Sequence, residues 1–333
     1  MDLNLLDGMH DRIGGRLERA SRILVVTHVG PDGDAVGSLL ALGWLLRARG
    51  KERLLMCQDP LPEGYRFLPG SDEIVQQPQG VFDLVVSLDC SDRYRMGESV
   101  AIFVESLPDA VPLINIDHHV TNTRFGTLNW VDPTAVATAQ MILELAEALG
   151  WDLAPPVATC LLNGLITDTR SFRTSNVDSR AIQAALRLME AGASLADITR
   201  QALEQRSLAS VRLWGQAIDG LRLEDGVLWT AVTGDMCRRL GLDGDDFSGL
   251  ANFLSGIREA DVVVVFTERG NGIIDVGMRA APGLDVAKMA LRLGGGGHPQ
   301  AAGCTLAGEL AQVQERVLAE VQRSLAGQRV AGS

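Results

Sequence analysis

The segment at residues 23–38 reads ILVVTHVGPDGDAVGS and contains three consecutive structural signals. Ile23–Val26 is apolar and rich in β-branched residues, which favours a buried strand. A polar loop rich in Gly, Asp and Pro follows at 27–34, and an apolar helical stretch then runs from about Ala35 to Arg49. Gly50 stands where helices commonly end in a left-handed residue. The segment therefore predicts a strand, a loop and a helix, the unit from which parallel sheets are built.

Three further strands of the same kind are predicted downstream, at Arg53 to Cys57, at Asp83 to Leu88 and at Pro112 to Ile116. Each is short and largely apolar, and helical or loop sequence separates it from the next. Such strands between helices indicate a parallel sheet that is covered on both faces. We therefore predict an α/β fold with an N-terminal parallel-sheet domain.

The character of the sequence changes after Pro133, and helical patterns dominate up to about residue 219. The predicted helices cover 134–149, 157–165, 179–190, 195–203 and 208–219. Strand patterns return at 227–232, 262–267 and 272–279, with a Gly/Asn-rich hairpin turn at 269–272 and a last helix at 285–293. We predict a parallel-sheet domain at 1–200, a helical linker at 201–222 and a smaller C-terminal α/β domain at 223–333.

Composition narrows the functional classes. The chain has 333 residues, of which 46% are hydrophobic, and 30 basic against 42 acidic side chains give a net charge of −12. No apolar run approaches the roughly 20 residues that span a bilayer, and residues 1–22 lack the apolar core of a signal peptide. We expect a cytoplasmic protein with no membrane partner. The negative net charge argues against long duplex DNA as a partner, because proteins that bind DNA nonspecifically normally carry a basic face.

The cysteines predict neither a disulfide framework nor a structural zinc site. There are five of them, an odd number, and none forms a CxxC pair. The acidic run Asp243-Gly244-Asp245-Asp246 lacks the spacing of an EF-hand loop and is interpreted as a surface turn.

Aspartates and histidines gather at the predicted strand ends. They are His28, Asp32, Asp34, Asp89, Asp117, His118 and His119, and Asp168 follows at the end of an apolar helix. Any one of them alone is better explained as turn chemistry or as a surface histidine. Together they are expected to meet, because the carboxyl ends of parallel strands face one crevice. Crowded carboxylates repel one another unless a cation joins them, and mixed Asp and His ligands suit Mn²⁺, with Mg²⁺, Fe²⁺ or Zn²⁺ as alternatives. The number of ligands fits two ions that share a carboxylate.

Five motifs, in order, resemble the DHH phosphoesterase superfamily. The first is the stretch from Thr27 to Ser38, the second is Ser87-Leu88-Asp89, and the triplet Asp117-His118-His119 is the one that names the family. Residues 165–169, LITDT, resemble the fourth motif. The run GGGGHPQAAG at 294–303 resembles the glycine-rich signature of the DHH-associated domain. The resemblance thus spans nearly the whole chain and implies an active-site cleft between two domains.

The resemblance also implies roles for individual residues. The implied metal ligands are His28, Asp32, Asp34, Asp89, His118 and Asp168. Asp89 would bridge two ions, Asp117 would orient a ligand histidine, and His119 would lie beside the metals near the scissile phosphate. His119, Asp89 and His118 are therefore the candidate catalytic residues. Two positions depart from the family pattern, since Gly30 stands where Asn is frequent and Arg170 where Gly is frequent.

The candidate substrate residues lie near the C-terminus, namely Arg258, Arg279, Gly295, Gly296, Gly297 and His298. Backbone without side chains can approach a phosphate closely, although a glycine tract alone more often just ends a helix. The run is not a P-loop, because no Lys-Ser/Thr pair follows it. In similar proteins, arginines near these positions bind an anionic group of the substrate, and the planar guanidinium suits that task.

The resemblance is strongest to the group of bifunctional oligoribonucleases and pAp phosphatases, also called nanoRNases. It implies a manganese-dependent hydrolase with exonuclease activity, which converts short RNA oligonucleotides and 3′-phosphoadenosine 5′-phosphate (pAp) to mononucleotides. A cyclic dinucleotide phosphodiesterase acting on c-di-AMP or its linear product pApA is the alternative, and a single-strand DNA exonuclease is a weaker one. Small nucleotides are thus the expected partners, and relatives of this kind are often homodimers.

Overall fold

The computed structural model describes residues 3–108, 110–242 and 249–331, and the chain divides into two units between Gln205 and Arg206. The predicted surface turn at 243–246 lies outside the described residues. No helix within the described ranges is both long and apolar enough to cross a membrane.

The first unit contains a parallel sheet. Its strands are β1 (Arg22–Val26), β2 (Glu52–Met56), β3 (Ile74–Val75), β4 (Leu84–Leu88), β5 (Leu113–Asp117) and β6 (Leu128–Val131). They lie in the order β3-β2-β1-β4-β5-β6, and every neighbouring pair is parallel. The order reverses direction between β1 and β4. Ligands of open parallel sheets bind at such a point, beyond the carboxyl ends of the strands.

Helices cover this sheet on both faces. They are α1 (Leu3–Arg19), α2 (Gly33–Ala48), α3 (Glu98–Ser106), α4 (Thr138–Ala148), α5 (Pro155–Asp168), α6 (Ser179–Glu190) and α7 (Leu195–Thr199). Successive residues of β1 alternate between the two faces. Ile23 and Val25 join the core formed with α2, α4 and α5, whereas Leu24 and Val26 join the core formed with α3. Burial on both faces explains why the strand is apolar from Ile23 to Val26.

The second unit contains a mixed sheet with strands β7 (Arg222–Glu224), β8 (Val227–Val232), β9 (Val262–Gly270), β10 (Ile273–Ala280), β11 (Gly296–His298) and β12 (Ala301–Ala307). The order is β11-β12-β10-β9-β8-β7, and β8 and β9 are parallel while the other neighbours are antiparallel. Its helices are α8 (Leu208–Asp219), α9 (Gly234–Leu240), α10 (Leu250–Leu254), α11 (Ala287–Arg292) and α12 (Leu310–Ala331).

Two cores lie on opposite faces of this second sheet. One packs α11 and α12 against Val264 and Val276, and the other packs α8, α9 and α10 against Val263 and Val265. Helix α8 therefore belongs to the second unit, and the segment predicted as a linker at 201–222 is not a separate element. The α/β class and the parallel sheet are confirmed, as is the hairpin turn, where Gly270, Asn271 and Gly272 all have positive φ.

Candidate metal centre

The predicted aspartates and histidines of the first unit meet at the carboxyl edge of its sheet. His28 lies two residues beyond β1, Asp89 directly follows β4, and Asp117, His118 and His119 lie at the end of β5. The other three come from helix ends. Asp32 caps α2 by accepting hydrogen bonds from the N–H groups of Asp34 and Ala35, Asp34 lies in the first turn of α2, and Asp168 is the last residue of α5.

Asp89 is central to the cluster. One of its carboxylate oxygens lies 3.4 Å from His28 Nε2, and the other lies 3.6 Å from His118 Nε2 and 3.5 Å from His119 Nδ1. Three donor groups share it, one with His28 and Asp32, one with Asp34 and His118, and one with Asp117 and His119. In each group the donor atoms lie within 4.8 Å of one another. Most of these separations exceed a hydrogen bond but suit atoms that surround a common ion about 2.0–2.2 Å away.

Asp168 adjoins the second group. Its Oδ2 atom lies 3.5 Å from His118 Nε2, and the same nitrogen lies 4.0 Å from Asp34 Oδ2. His28 Nε2 lies 3.9 Å from Asp32 Oδ1 in the first group. The structure thus brings together all six residues that the family resemblance named as ligands.

The start of helix α4 holds Asp34 in place. The N–H groups of Thr138 and Ala139 donate to the two Asp34 oxygens at 2.6 and 2.9 Å, and Ser38 Oγ donates at 3.2 Å. These backbone donors are among those that a helix N-terminus leaves without intrahelical partners. Gly164 of α5 completes the cradle, because a Cβ there would lie 2.6 Å from Asp34 Oδ1. The buried carboxylate is therefore fixed by groups more than 100 residues away along the chain.

Sequence reasoning missed Thr138. Its hydroxyl donates to Asp89 Oδ1 at 2.9 Å, so one residue supports both Asp34 and Asp89. The predicted helix began at Thr134, which placed Thr138 inside it, whereas α4 begins at Thr138. The Asp132 carboxylate accepts the N–H and hydroxyl of Thr134, and this turn delays the helix. A threonine at a helix start is the signal that could have identified it.

Asp117 orients a histidine other than the expected one. Its Oδ1 lies 2.7 Å from His119 Nδ1, and its Oδ2 accepts a hydrogen bond from Asn122. The ligand candidate His118 instead places Nδ1 3.3 Å from the Ala135 carbonyl oxygen. Residues 117 and 119 are two apart at the end of a strand, which brings their side chains to the same side. The structure thus shows Asp117 beside His119, and the expectation that Asp117 orients a metal ligand stays a prediction.

The ionisation of the cluster reflects its burial and crowding. Burial and the Asp89 and Asp168 carboxylates raise the pKa of Asp34 well above its usual range. Burial also raises the pKa of Asp168 to about 7. For Asp89, burial acts in the same direction, but the hydrogen bond with His28 and the nearby imidazoles hold its pKa below the usual range. Like charges are thus held together at a cost, which a divalent cation removes.

His119 has a different environment. Burial disfavours its charged form, but the hydrogen bond with Asp117 and the charge of Asp89 raise the pKa of His119 to about 10. These two contacts favour the protonated imidazole.

Oxygen and imidazole donors without thiolate are the set that Mn²⁺ and related divalent ions prefer. The donors here are preorganised by hydrogen bonds to other protein groups, as ligands of real metal sites are. The residues present therefore fit a pair of divalent ions.

The two departures from the family pattern have structural explanations. Gly30 has φ of 61°, a left-handed conformation that Asn also tolerates, so the exchange preserves the loop. Its N–H donates to Asp59 Oδ2 at 2.7 Å. Arg170, Ser171 and Phe172 all have φ between 52° and 61°, so Arg170 occupies a conformation natural to Gly. This left-handed turn begins two residues after Asp168.

Four of the six candidate substrate residues of the second unit, Arg279, Gly296, Gly297 and His298, lie on its sheet. Register pairs Arg279 of β10 with Ala301 of β12, and Ala301 with His298 of β11. Directly paired residues point to the same face, so Arg279 and His298 flank the small Ala301. Arg279 Nε donates to Asn252 Oδ1 at 2.6 Å. Arg258 is exposed and lies between α10 and β9. It is therefore not part of the row formed by Arg279, Ala301 and His298.

The four glycines are not equivalent. Gly294 has φ of 85° and ends α11, while Gly295 and Gly297 lie so close to β12 that a Cβ would meet backbone atoms at 2.0 and 2.5 Å. Only Gly296, of the three predicted to bind substrate, has open space where its Cβ would be. Gly296 pairs with Gly303, which pairs with Gly277, so the same face carries a row without side chains.

The family model of the DHH family N-terminal domain matches residues 22–165, and the model of the DHHA1 domain matches residues 226–327. This chain belongs to the DHH family. It is 39% identical over 310 residues to the bifunctional oligoribonuclease and PAP phosphatase NrnA of Thermus thermophilus, an alignment that covers 91% of this chain and 90% of that protein. The DHH chain is accordingly a hydrolase that acts on phosphoester bonds.

Solved structures share the DHH fold. An exopolyphosphatase-related protein from Bacteroides fragilis superposes with a TM-score of 0.86 at 22% identity, covering 98% of both chains. RecJ from Thermus thermophilus in complex with Mn²⁺ superposes with a TM-score of 0.52 at 17% identity, covering 97% of this chain and 55% of RecJ.

Proposed function

We propose that this DHH protein hydrolyses short oligoribonucleotides and pAp to mononucleotides with two divalent metal ions. The observation that carries the proposal is that two donor groups, one with His28 and Asp32 and one with Asp34 and His118, share Asp89. A shared carboxylate is the arrangement that holds two ions close enough to act on one phosphate. The similarity to the Thermus NrnA along 91% of the chain supports linear RNA and pAp over the cyclic dinucleotide alternative.

The proposed ligands are His28, Asp32, Asp34, Asp89, His118 and Asp168, with Asp89 as the bridge. Mn²⁺ is the proposed ion, since the donors are oxygen and imidazole and the RecJ structure of the same fold contains Mn²⁺. When bound, such ions neutralise phosphate oxygens and lower the pKa of a water molecule.

The protein groups around the proposed ion sites would position the substrate and donate a proton to it. The Nδ1 atom of His119 is engaged by Asp117, so Nε2 is the atom that donates to a phosphate oxygen. The hydrogen bond from Asp117 favours the cationic imidazole, whose donation would be charge-assisted and would favour the more negative transition state. Hydrolysis adds water to phosphorus and breaks the P–O bond to the leaving group, whose oxygen takes up a proton. The products are AMP and phosphate from pAp, and mononucleotides from short RNA.

The second unit is proposed to bind the remainder of the substrate. Arg279, His298 and the backbone at Gly296 lie on one face of the mixed sheet, where the small residues between them leave the backbone accessible. Gly295 and Gly297 contribute by allowing β11 to approach β12, and Arg258 adds a cation near the start of β9. We place the enzyme in the reducing cytoplasm, a proposal that the buried thiols of Cys57, Cys90, Cys160 and Cys304 support.

A substrate panel tests the proposal. Purified protein with Mn²⁺ is assayed on pAp, diribonucleotides, RNA of about 20 nucleotides and c-di-AMP, with Asp89→Asn as the matched control. We expect turnover of pAp and diribonucleotides, much slower turnover of the long RNA, and loss of at least about 1,000-fold in the variant, typical for removal of a central catalytic group. Preference for c-di-AMP would establish the alternative. Wild-type activity in Asp89→Asn would contradict the two-ion assignment.

A further inference from the structure

Three arginines form a stripe on α1, at the end of the first unit opposite the metal centre. Arg12, Arg16 and Arg19 are spaced i, i+4 and i+7, which puts them on one face of the helix. The opposite face is anchored, because Ile13 and Leu17 are buried in the main core. All three arginines are exposed. The orientation of the stripe is therefore fixed by packing rather than left to a mobile helix.

The stripe lines two cavities that adjoin each other. The first has a volume of about 220 Å³ and is lined by Arg12, Arg16, Arg19, Thr127 and Leu128. The second has a volume of about 190 Å³ and is lined by Arg16, Arg19, Ala20, Asp83, Leu84 and Pro112. Leu84 and Leu128 are the first residues of β4 and β6. The cavities therefore lie at the amino edge of the sheet, whereas the metal centre lies at the carboxyl edge.

The arginines of the stripe form no contact ion pair with a described acidic side chain. Within residues 3–108, 110–242 and 249–331, no acidic side chain forms an ion pair with Arg12, Arg16 or Arg19. Other arginines of this unit do find partners, as Arg22 does with Glu52 and Arg53 with Glu73. In a chain with a net charge of −12, three unpaired arginines on one helix face are unexpected.

The one carboxylate in the cavity walls is already committed. Asp83 accepts hydrogen bonds from the N–H groups of Ser21 and Arg22 at 2.8 and 3.0 Å. Gly15 also shapes the site, because a Cβ there would lie 3.5 Å from Arg19 Nη1, so the guanidinium lies directly over the helix backbone. Asp83 thus has backbone partners of its own, and the three arginines line the cavities.

We propose that this stripe is a second anion site, which binds the di- or triphosphate group of a small phosphorylated molecule. Guanidinium groups bind phosphate oxygens in pairs through their planar forks. Each cavity is smaller than the roughly 300–1,000 Å³ that encloses a whole drug-sized ligand. The two cavities share Arg16 and Arg19, so adjacent phosphates can occupy one each while the rest of the ligand stays outside. The site is independent of the metal centre and of the reaction proposed there.

Calorimetric titration of the full chain tests the site. Pyrophosphate and ATP are titrated in metal-free buffer into a protein that carries Asp89→Asn, so that binding at the metal centre does not contribute to the measured heat. We expect both to bind in the micromolar range, AMP to bind at least tenfold more weakly, and Arg16→Ala with Arg19→Ala to abolish binding. Arg16→Lys retains the charge but not the fork, and should weaken binding about tenfold.

Arg212→Ala is the matched control, because Arg212 is an exposed helical arginine of α8 in the other unit. It should leave both affinities unchanged, and unfolding temperatures should verify that every variant is folded. The proposal is overturned if pyrophosphate and ATP do not bind, or if they bind equally to the double arginine variant. It is also overturned if only a pentaribonucleotide binds at the stripe, since that result would make it an RNA surface.

Discussion

Thr138 connects two carboxylates that approach the metal centre from different elements. Its hydroxyl bonds Asp89 and its N–H bonds Asp34, so it sets their separation. Thr138→Val keeps the shape and the N–H but removes the hydroxyl. We expect Mn²⁺ affinity to fall about 10- to 100-fold, as is usual for lost support of a ligand, with a smaller effect on stability. Isothermal titration of Mn²⁺ measures the change.

Thr230→Val is the control for this prediction. Thr230 is also buried, and its hydroxyl donates to the Ala217 carbonyl oxygen in the second unit. The control removes a comparable hydrogen bond far along the chain from the metal ligands, so Mn²⁺ affinity should stay the same. Equal losses in the two variants would show that the effect of Thr138 is general destabilisation.

The glycine run at 294–297 contains both structural glycines and a glycine that is proposed to bind substrate. A Cβ on Gly295 would meet the Gly303 oxygen at 2.0 Å, so Gly295→Ala should destabilise the second unit by about 1–3 kcal/mol, as overpacking does. Gly296 has open space at that position, so Gly296→Ala should unfold like the wild type but raise KM for pAp about tenfold, or 1.4 kcal/mol. Thermal unfolding and steady-state kinetics on both variants distinguish the roles. Unchanged kinetics in Gly296→Ala would remove this backbone from the substrate site.

The residues of the metal centre were predictable from the sequence where a local pattern indicated them. Asp89 and His118 follow apolar strands, and the rule that strand ends meet at one edge brings them together. The partnership between Asp34 and Thr138 was not predictable, because the two residues are 104 positions apart and only packing of α4 against α2 joins them. The hydrogen bond between Asp117 and His119 likewise depends on the geometry of the strand end, which a sequence motif does not specify.

Among the elements, α11 and α12 are joined by a charged contact. Glu320 of α12 lies 2.8 Å from Arg292 of α11 and accepts a hydrogen bond from Ser324. The bond to Arg292 lowers the pKa of Glu320 from its ordinary value. A carboxyl with a lowered pKa stabilises the fold above its unfolded pKa, and that contribution disappears as the pH falls through the folded pKa.

Glu320→Gln should therefore cost about 1 kcal/mol of unfolding free energy at pH 7 and much less at pH 3.5. Urea unfolding at the two pH values measures both quantities. Glu315→Gln, at an exposed position of the same helix, is the control and should have no effect at either pH. A loss that is the same at pH 3.5 as at pH 7 would show that the contact does not depend on the charge.

Elements with a strong pattern were predicted, and those without one were not. Helix α6 occupies residues 179–190 as expected, since its buried and exposed positions alternate with helical period. Strand β11 consists of Gly296–His298, and glycine favours no strand, so the sequence indicated a helix terminator instead. Only its pairing with β12 makes it a strand. Helix α1 was missed because charged residues and glycines outnumber its buried apolar positions.

For the whole molecule, the net charge of −12 conceals an uneven distribution. Five aspartates are concentrated at the carboxyl edge of the first sheet, and two divalent ions there would change the net charge from −12 to −8. The arginine stripe lies at the opposite edge of the same sheet. That composition argues against tight binding of long polyanions stays a prediction, and only the fold assigns each charge to an edge.

Metal removal should affect the two units differently, because all the proposed ligands belong to the first. Without a cation, the carboxylates around Asp89 repel one another, whereas ions at 100 times their Kd would add about 2.7 kcal/mol. We expect EDTA to speed hydrogen exchange in peptides that cover 26–36, 86–92 and 115–120, and to leave β9 and β10 unchanged. Asp89→Asn should already exchange fast and should not respond to EDTA. An equal response of β9 and β10, or a wild-type response in Asp89→Asn, would show that the ions are bound elsewhere.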